Sequence, residues 1–153
     1  MTYFKSLLFN FLAVFFVNHI LPGIQIDYYT KLPKIEGDLV FSFALGFLLS
    51  LIFPILRFFK LSPSHFKIGL ISFFVSFGGY SLVNILPVGI HLTSASGYLW
   101  GSLIVWFSGY LTNHLEFRKY LLEQKIEAKE KEREEEKEKE EKKEKEHKEG
   151  EKK

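Results

Sequence analysis

Residues 39–59 read LVFSFALGFLLSLIFPILRFF, and the only formal charge among them, Arg57, stands near the end. A hydrocarbon layer about 30 Å thick takes roughly 20 mostly apolar residues as helix. Lipid accepts a backbone only where its hydrogen bonds close internally, as they do in a helix. The stretch is therefore expected to cross a membrane. Three more stretches of the same kind surround it, at 6–24, 66–87 (with Lys67 at its start) and 95–115. Four such segments in succession predict an all-α architecture, a four-transmembrane-helix bundle.

Charge divides the chain sharply. Of 20 basic and 18 acidic residues, only Lys5, Asp27, Lys31, Lys34, Glu36, Asp38, Arg57, Lys60 and Lys67 precede Glu116. The mean hydropathy of +0.05 and the net charge of +2 thus average two unlike parts. These are a transmembrane domain over 1–115 and a charged tail over 116–153. Such a balance points to no nucleic-acid partner. The absence of cysteine excludes disulfides, thiolate metal sites and thiol catalysis. The first segment begins near Lys5 like a signal peptide, yet no A-x-A-like cleavage site follows it, so it is expected to stay as a span.

Orientation is read from Lys and Arg in short loops. Arg57, Lys60 and Lys67 mark the loop between the second and third spans, and Arg118 and Lys119 open the tail. Lys31 and Lys34 in the first loop count the other way. The best fit is a multi-pass protein of the bacterial inner (cytoplasmic) membrane with both termini in the cytoplasm. Tyr28, Tyr29, Tyr98 and Trp100 would then lie near the outer interface, and Phe117 and Tyr120 near the inner one.

The membrane part repeats itself. Residues 17–24 (VNHILPGI) resemble 83–90 (VNILPVGI), each closing an outgoing span before a turn. Asn18, Pro22 and Gly23 in the first copy, and Asn84, Pro87 and Gly89 in the second, are the expected helix-end turn residues. Pro cannot continue a helix and Gly tolerates turn dihedrals. The returning spans correspond too: Ser42, Gly46, Ser50 and Pro54 recur as Gly97, Gly101, Val105 and Gly109 at the same spacing of four. Ser72, Ser76 and Gly79 share one face of the third span. Small residues on one helix face let helices approach closely. Two uses are open, packing inside one chain or a homo-oligomer interface. The expected arrangement is two tandem helical hairpins running in the same sense.

With these residues placed, the membrane part resembles the phage holin family 4 superfamily over roughly 1–115. The stretches that carry the resemblance are 21–24 (LPGI), 46–56 (GFLLSLIFPIL), 68–70 (IGL), 84–90 (NILPVGI) and Gly101. The family pattern has Asn near Leu49 and Arg near Phe53; this chain has neither, and the tail lies outside the shared pattern. The resemblance implies a small multi-pass membrane protein of holin-like type.

Catalytic signatures are missing. No Asp, Glu, Lys or Arg is expected in the middle of a span, which argues against a proton relay or an ion-coupled transporter. His19, His65, His91, His114 and His147 show no close metal-ligand spacing, and no acidic partner for them stands in the spans. Neither H-E-x-x-H nor G-x-S-x-G occurs. No enzyme, cofactor or metal is expected. Asn10, Asn18, Asn84 and His19 are the polar residues to watch, read first as helix caps or interhelical hydrogen bonds.

The tail from Glu123 onward is almost entirely Glu and Lys, and has no apolar residue beyond Ala128. Without an apolar seam it cannot form an ordinary coiled coil there. It is expected to continue the fourth helix through about Ala128 and then to become a fraying solvated helix or disordered. Three functions stay open: a self-associating holin-like protein with pore formation, a membrane scaffold whose tail recruits a cytoplasmic protein, and a channel or transporter for a small neutral solute. The lipid bilayer is the common partner of all three.

Overall fold

The computed structural model describes residues 3–26, 37–59, 61, 63–86 and 88–150, excluding the side chains of 138 and 141–150. Pro87 lies outside the described residues, as do Asp27, Tyr28, Tyr29, Lys31, Lys34, Glu36 and Lys60. The elements in chain order are α1 Tyr3–Ile20, β1 Ile24–Ile26, α2 Gly37–Phe58, α3 His65–Leu82, β2 Ile90–Leu92 and α4 Ala95–Gly150. Two compact units result, Met1–Phe117 and Arg118–Lys153. Glu116, which the sequence assigns to the tail, belongs to the first.

Helix ends depart from the expected spans where local chemistry competes with the helix. α1 stops at Ile20 rather than at 24, because Pro22 cannot donate to the ladder and Gly23 turns the chain at φ +90°. α3 stops at Leu82 rather than at 87. In the turn that follows, the side chain of Asn84 accepts the backbone N–H of Leu92 at 2.8 Å, an alternative to continuing the helix. α3 and α4 begin on serines. Ser64 Oγ accepts from Lys67 N at 3.3 Å, and Ser94 Oγ from Gly97 N at 3.1 Å, each satisfying a donor that the first helical turn leaves open.

The all-helical bundle carries one small addition. β1 and β2 form an antiparallel ribbon with Ile24 opposite Leu92, Gln25 opposite His91 and Ile26 opposite Ile90. The glycines before the two strands, Gly23 and Gly89, both have positive φ. Gln25 and His91 hold corresponding places after them, so the ribbon is locally two-fold about that pair. Counted from the same glycines, Ser6, Asn10 and Val14 on α1 correspond to Ser72, Ser76 and Tyr80 on α3, and all six are buried. The repeat seen in sequence is thus also a repeat of burial.

Val14, Leu45, Leu49, Ile52, Tyr80, Val83, Ile90 and Val105 fill the interior. Phe4, Phe16, Phe43, Phe74, Trp100 and Phe107 point outward and are largely exposed. A water-soluble bundle reverses that arrangement, whereas lipid makes an apolar exterior favourable.

Candidate functional site: a polar ladder inside the bundle

α1 carries polar residues at Ser6, Asn10 and Asn18, four or eight positions apart and therefore on one face. That face is buried. At one end, Ser6 Oγ donates to Glu116 on α4. One turn further, Asn10 is the most connected side chain. Its Nδ2 donates to Ser50 Oγ at 2.9 Å and to Thr112 Oγ1 at 3.0 Å, and its Oδ1 accepts from Ser108 Oγ at 3.0 Å. One amide thereby joins α1, α2 and α4. Asn113 works beside it. Its Oδ1 accepts from Phe53 N at 2.8 Å and its Nδ2 donates to Leu49 C=O at 2.7 Å. It bridges the two ends of one helical step of α2, immediately before Pro54, where the ring removes a backbone N–H.

Val14 and Leu49, both fully buried, interrupt the ladder. Beyond them Asn18 donates to Ser42 Oγ at 3.3 Å and accepts from Tyr80 OH at 2.8 Å, joining α1, α2 and α3. Ser76 Oγ donates to Ser102 C=O at 2.7 Å and ties α3 to α4. The last rung is His19 with Asp38. Asp38 is completely buried, and His19 Nε2 lies 3.4 Å from its Oδ2. His19 Nδ1 lies 2.8 Å from the Phe15 carbonyl, which only accepts, so Nδ1 carries a proton. Neither carboxylate oxygen of Asp38 has a hydrogen-bond partner among the described residues, so its contact with His19 is the close approach of an ionisable pair.

That rung corrects the sequence reading, which left His19 without an acidic partner. α2 begins at Gly37, so Asp38 sits in its first turn instead of in the loop. Changing His19 to Leu is expected to leave Asp38 buried alone and to destabilise the bundle by about 1–3 kcal/mol. Asp38→Asn should recover most of that loss in the double variant, as measured by unfolding in mixed micelles. Equal loss in the double variant would contradict the pairing.

The small-residue positions find their contacts within the chain. A Cβ on Gly46 would lie 2.6 Å from Phe11 N, and one on Gly79 would lie 2.8 Å from a Leu45 methyl. Gly97 meets the Gly23 carbonyl, at 2.5 Å from such a Cβ, and Gly101 meets Ile24 and Tyr80. Ser42, Ser50, Ser72 and Ser76 are all buried, and Ser72 Oγ has no hydrogen-bond partner. Of the expected turn residues, Pro22, Gly23 and Asn84 lie in turns, and Gly89 lies in the bend before β2. Asn18 lies in the last turn of α1 and faces the core.

Sequence reading missed Ser6, Thr112, Asn113, Glu116, Ser108 and Tyr80. A signal was present, since Ser108, Thr112 and Glu116 are four apart on α4 and match Ser6 and Asn10 in spacing. At the Ser6 end, His65 and His114 approach Nδ1 to Nδ1 at 2.9 Å, so one imidazole donates and the other accepts. No group of three or more His, Cys, Asp or Glu side chains fit to hold a metal occurs among the described residues. The hydroxyls and amides of the ladder are engaged with one another, which is the chemistry of a helix lock.

Two of the four helices, α1 and α2, are long and apolar enough to cross a membrane. The mycobacterial 4 TMS phage holin family of superfamily IV matches residues 1–111. The chain belongs to this family. No curated protein and no solved structure matches it. As a member of the holin family it is a small transmembrane protein, and the matched stretch takes in almost the whole ladder. Thr112, Asn113 and Glu116 fall just beyond it, on the same helix as the matched Ser108.

Proposed function

We propose that this holin-family chain is a non-enzymatic protein of the bacterial inner membrane that crosses the bilayer four times, keeps both termini in the cytoplasm and acts by self-association. The observation that carries the reading is the family match over 1–111, spread across a bundle whose outer faces are apolar. Four spans are what the family description implies, and α3 and the start of α4 complete them. Their Gly, Ser, Tyr and Trp content makes them less apolar than α1 and α2.

Pore formation, in this reading, takes place between copies of the chain. Val14, Leu49, Tyr80 and Val105 are fully buried and fill the centre of a single bundle. That filling weighs against a solute channel through one chain. The Gly46 and Gly97/Gly101 faces are occupied internally, so copies would meet through other surfaces. Induced expression with a potential-sensitive dye tests this: depolarisation followed by loss of viability is expected. Unchanged potential at high expression would overturn the pore.

A second reading has its own observation. α4 remains helical to Gly150, and every residue from 121 to 137 is exposed. A long charged helix of this kind suits a scaffold that recruits a soluble cytoplasmic protein. Deletion of 129–153 should then abolish capture of that protein while the bundle still inserts; undiminished capture would exclude it.

A further inference from the structure

The first turns of the tail are patterned. At 3.6 residues per turn, Glu123, Glu127, Glu130 and Glu134 form one stripe along α4. Arg118, Lys125, Lys129 and Arg133 form another, roughly 135° away around the helix. All eight side chains are exposed. One helix therefore shows an acidic side and a basic side. Lys119 and Lys131 flank the acidic stripe, and Glu132 flanks the basic one. Beyond Glu134 the pattern ends, because Glu136 falls on the basic side.

This pattern works against an isolated helix. Glu123–Glu127, Lys125–Lys129, Lys129–Arg133 and Glu130–Glu134 are like-charged pairs at spacing four, each unfavourable by itself. Lys119–Glu123, at 3.5 Å, is an opposite pair, but both partners are more than half exposed and it is weak. Glu127–Lys131 is a second opposite pair at that spacing and offsets part of the repulsion. The proximal stripes thus repel within their own helix and are relieved by a neighbour of opposite sign.

From this we infer that residues 118–134 are a docking surface for a second copy of the same chain, the acidic stripe of one tail lying against the basic stripe of the next. The inference rests on the self-association reading and deepens it, by assigning the contact to the tail. Such an interface is heterologous, because each copy offers a different surface on each side. It therefore extends to rings or arrays and is not limited to dimers. Leu122 and Ile126, at 59% and 56% exposure, border the basic stripe and add apolar contact. Exposed ion pairs are individually weak, but copies held in one membrane meet at high effective concentration, where weak contacts suffice.

The chain lacks cysteine, so Ile126→Cys supplies a single crosslinking site beside the stripes. The full chain in membrane vesicles, treated with a short bismaleimide, is expected to give a covalent dimer, the largest product that one cysteine per chain allows. Salt near 1 M, where the screening length is about 3 Å, should reduce the yield of that dimer. Two reversed forms follow. One carries Lys125→Glu, Lys129→Glu and Arg133→Glu, with Arg118 kept so that the orienting charges remain. The other carries Glu123→Lys, Glu127→Lys, Glu130→Lys and Glu134→Lys. Each alone should lose at least tenfold of the crosslinked product. The two expressed together with tags of different size should regain it as mixed species only. A crosslinked dimer that persists in each reversed form, or is lost and not regained on mixing, overturns the tail contact and leaves self-association standing. A parental chain that gives no crosslinked dimer overturns the tail contact, and overturns self-association as well if it is also a monomer in mild detergent.

Discussion

Replacing Asn10 by alanine is expected to weaken the bundle by about 2 kcal/mol. Interhelical hydrogen bonds in membranes average roughly 0.6 kcal/mol each. Asn10 makes such bonds to Ser50, Thr112 and Ser108, and so joins three helices with one amide. Its removal also leaves three buried hydroxyls to find other partners. Ser50 and Thr112 can fall back on the carbonyls of Gly46 and Ser108, which they already reach at 2.8 and 3.2 Å, and this limits the damage. SDS unfolding in mixed micelles provides the measurement, read from Trp106, whose indole N–H donates to Gly69 C=O across α3 and α4. A double-mutant cycle with Thr112→Val should return a coupling of about 0.6–1.7 kcal/mol. An unfolding curve that Asn10→Ala leaves in place would remove Asn10 from the centre of the ladder.

Gly46→Ala is expected to cost more, about 3 kcal/mol, or to abolish the native bundle. Overpacking a tight contact costs about 1–3 kcal/mol and occasionally more. Gly46 belongs at the upper end because the atoms a Cβ would meet are the backbone N and Cα of Phe11, at 2.6 and 2.8 Å. Backbone has no rotamer to change, so α1 and α2 would have to separate and would disturb Asn10–Ser50 as they did. Gly78 is the control. Nothing lies within 4 Å of a Cβ placed there, and a mid-helix Gly is weaker than Ala by roughly 0.5–1 kcal/mol. Gly78→Ala should therefore be neutral or stabilising in the same assay. Equal behaviour of the two variants would contradict the close approach of α1 and α2.

The contrast between these glycines marks where sequence reading runs out. Gly46, Gly79, Gly97 and Gly101 were visible as small residues at helical spacing, but the pattern left two uses open. The structure puts Gly97 against the Gly23 turn and Gly46 against α1. Gly97 makes room for the Gly23 turn, while Gly101 lies against Ile24 and against Tyr80 of α3. The polar ladder was half legible for a related reason. Asn10 and Asn18 stood out as polar residues in apolar surroundings. Their partners did not, because Ser and Thr are common in membrane helices and a hydroxyl becomes informative only once something faces it. Glu116 and Asp38 were hidden by boundaries. A charge one residue outside an expected span reads as solvated, yet an earlier start of α2 and the continuation of α4 past Leu115, with Glu116 and Phe117 still buried, draw both inside.

What the sequence by itself determined was the medium and the division of the chain. Long uncharged apolar stretches can satisfy their backbones only as helices, and the abrupt change at Glu116 to Glu and Lys separates a lipid-facing part from a charged helix. The repeat, with Gly23 and Gly89 opening each turn, was also present in the residues alone. Only the tertiary structure decided who meets whom: that Asn18 turns into the core while Asn84 caps a turn, that the two turns pair as a ribbon about Gln25 and His91, and that His19 reaches Asp38. The physical reason is that periodicity specifies a face, whereas the partner of that face depends on how helices distant in sequence come together.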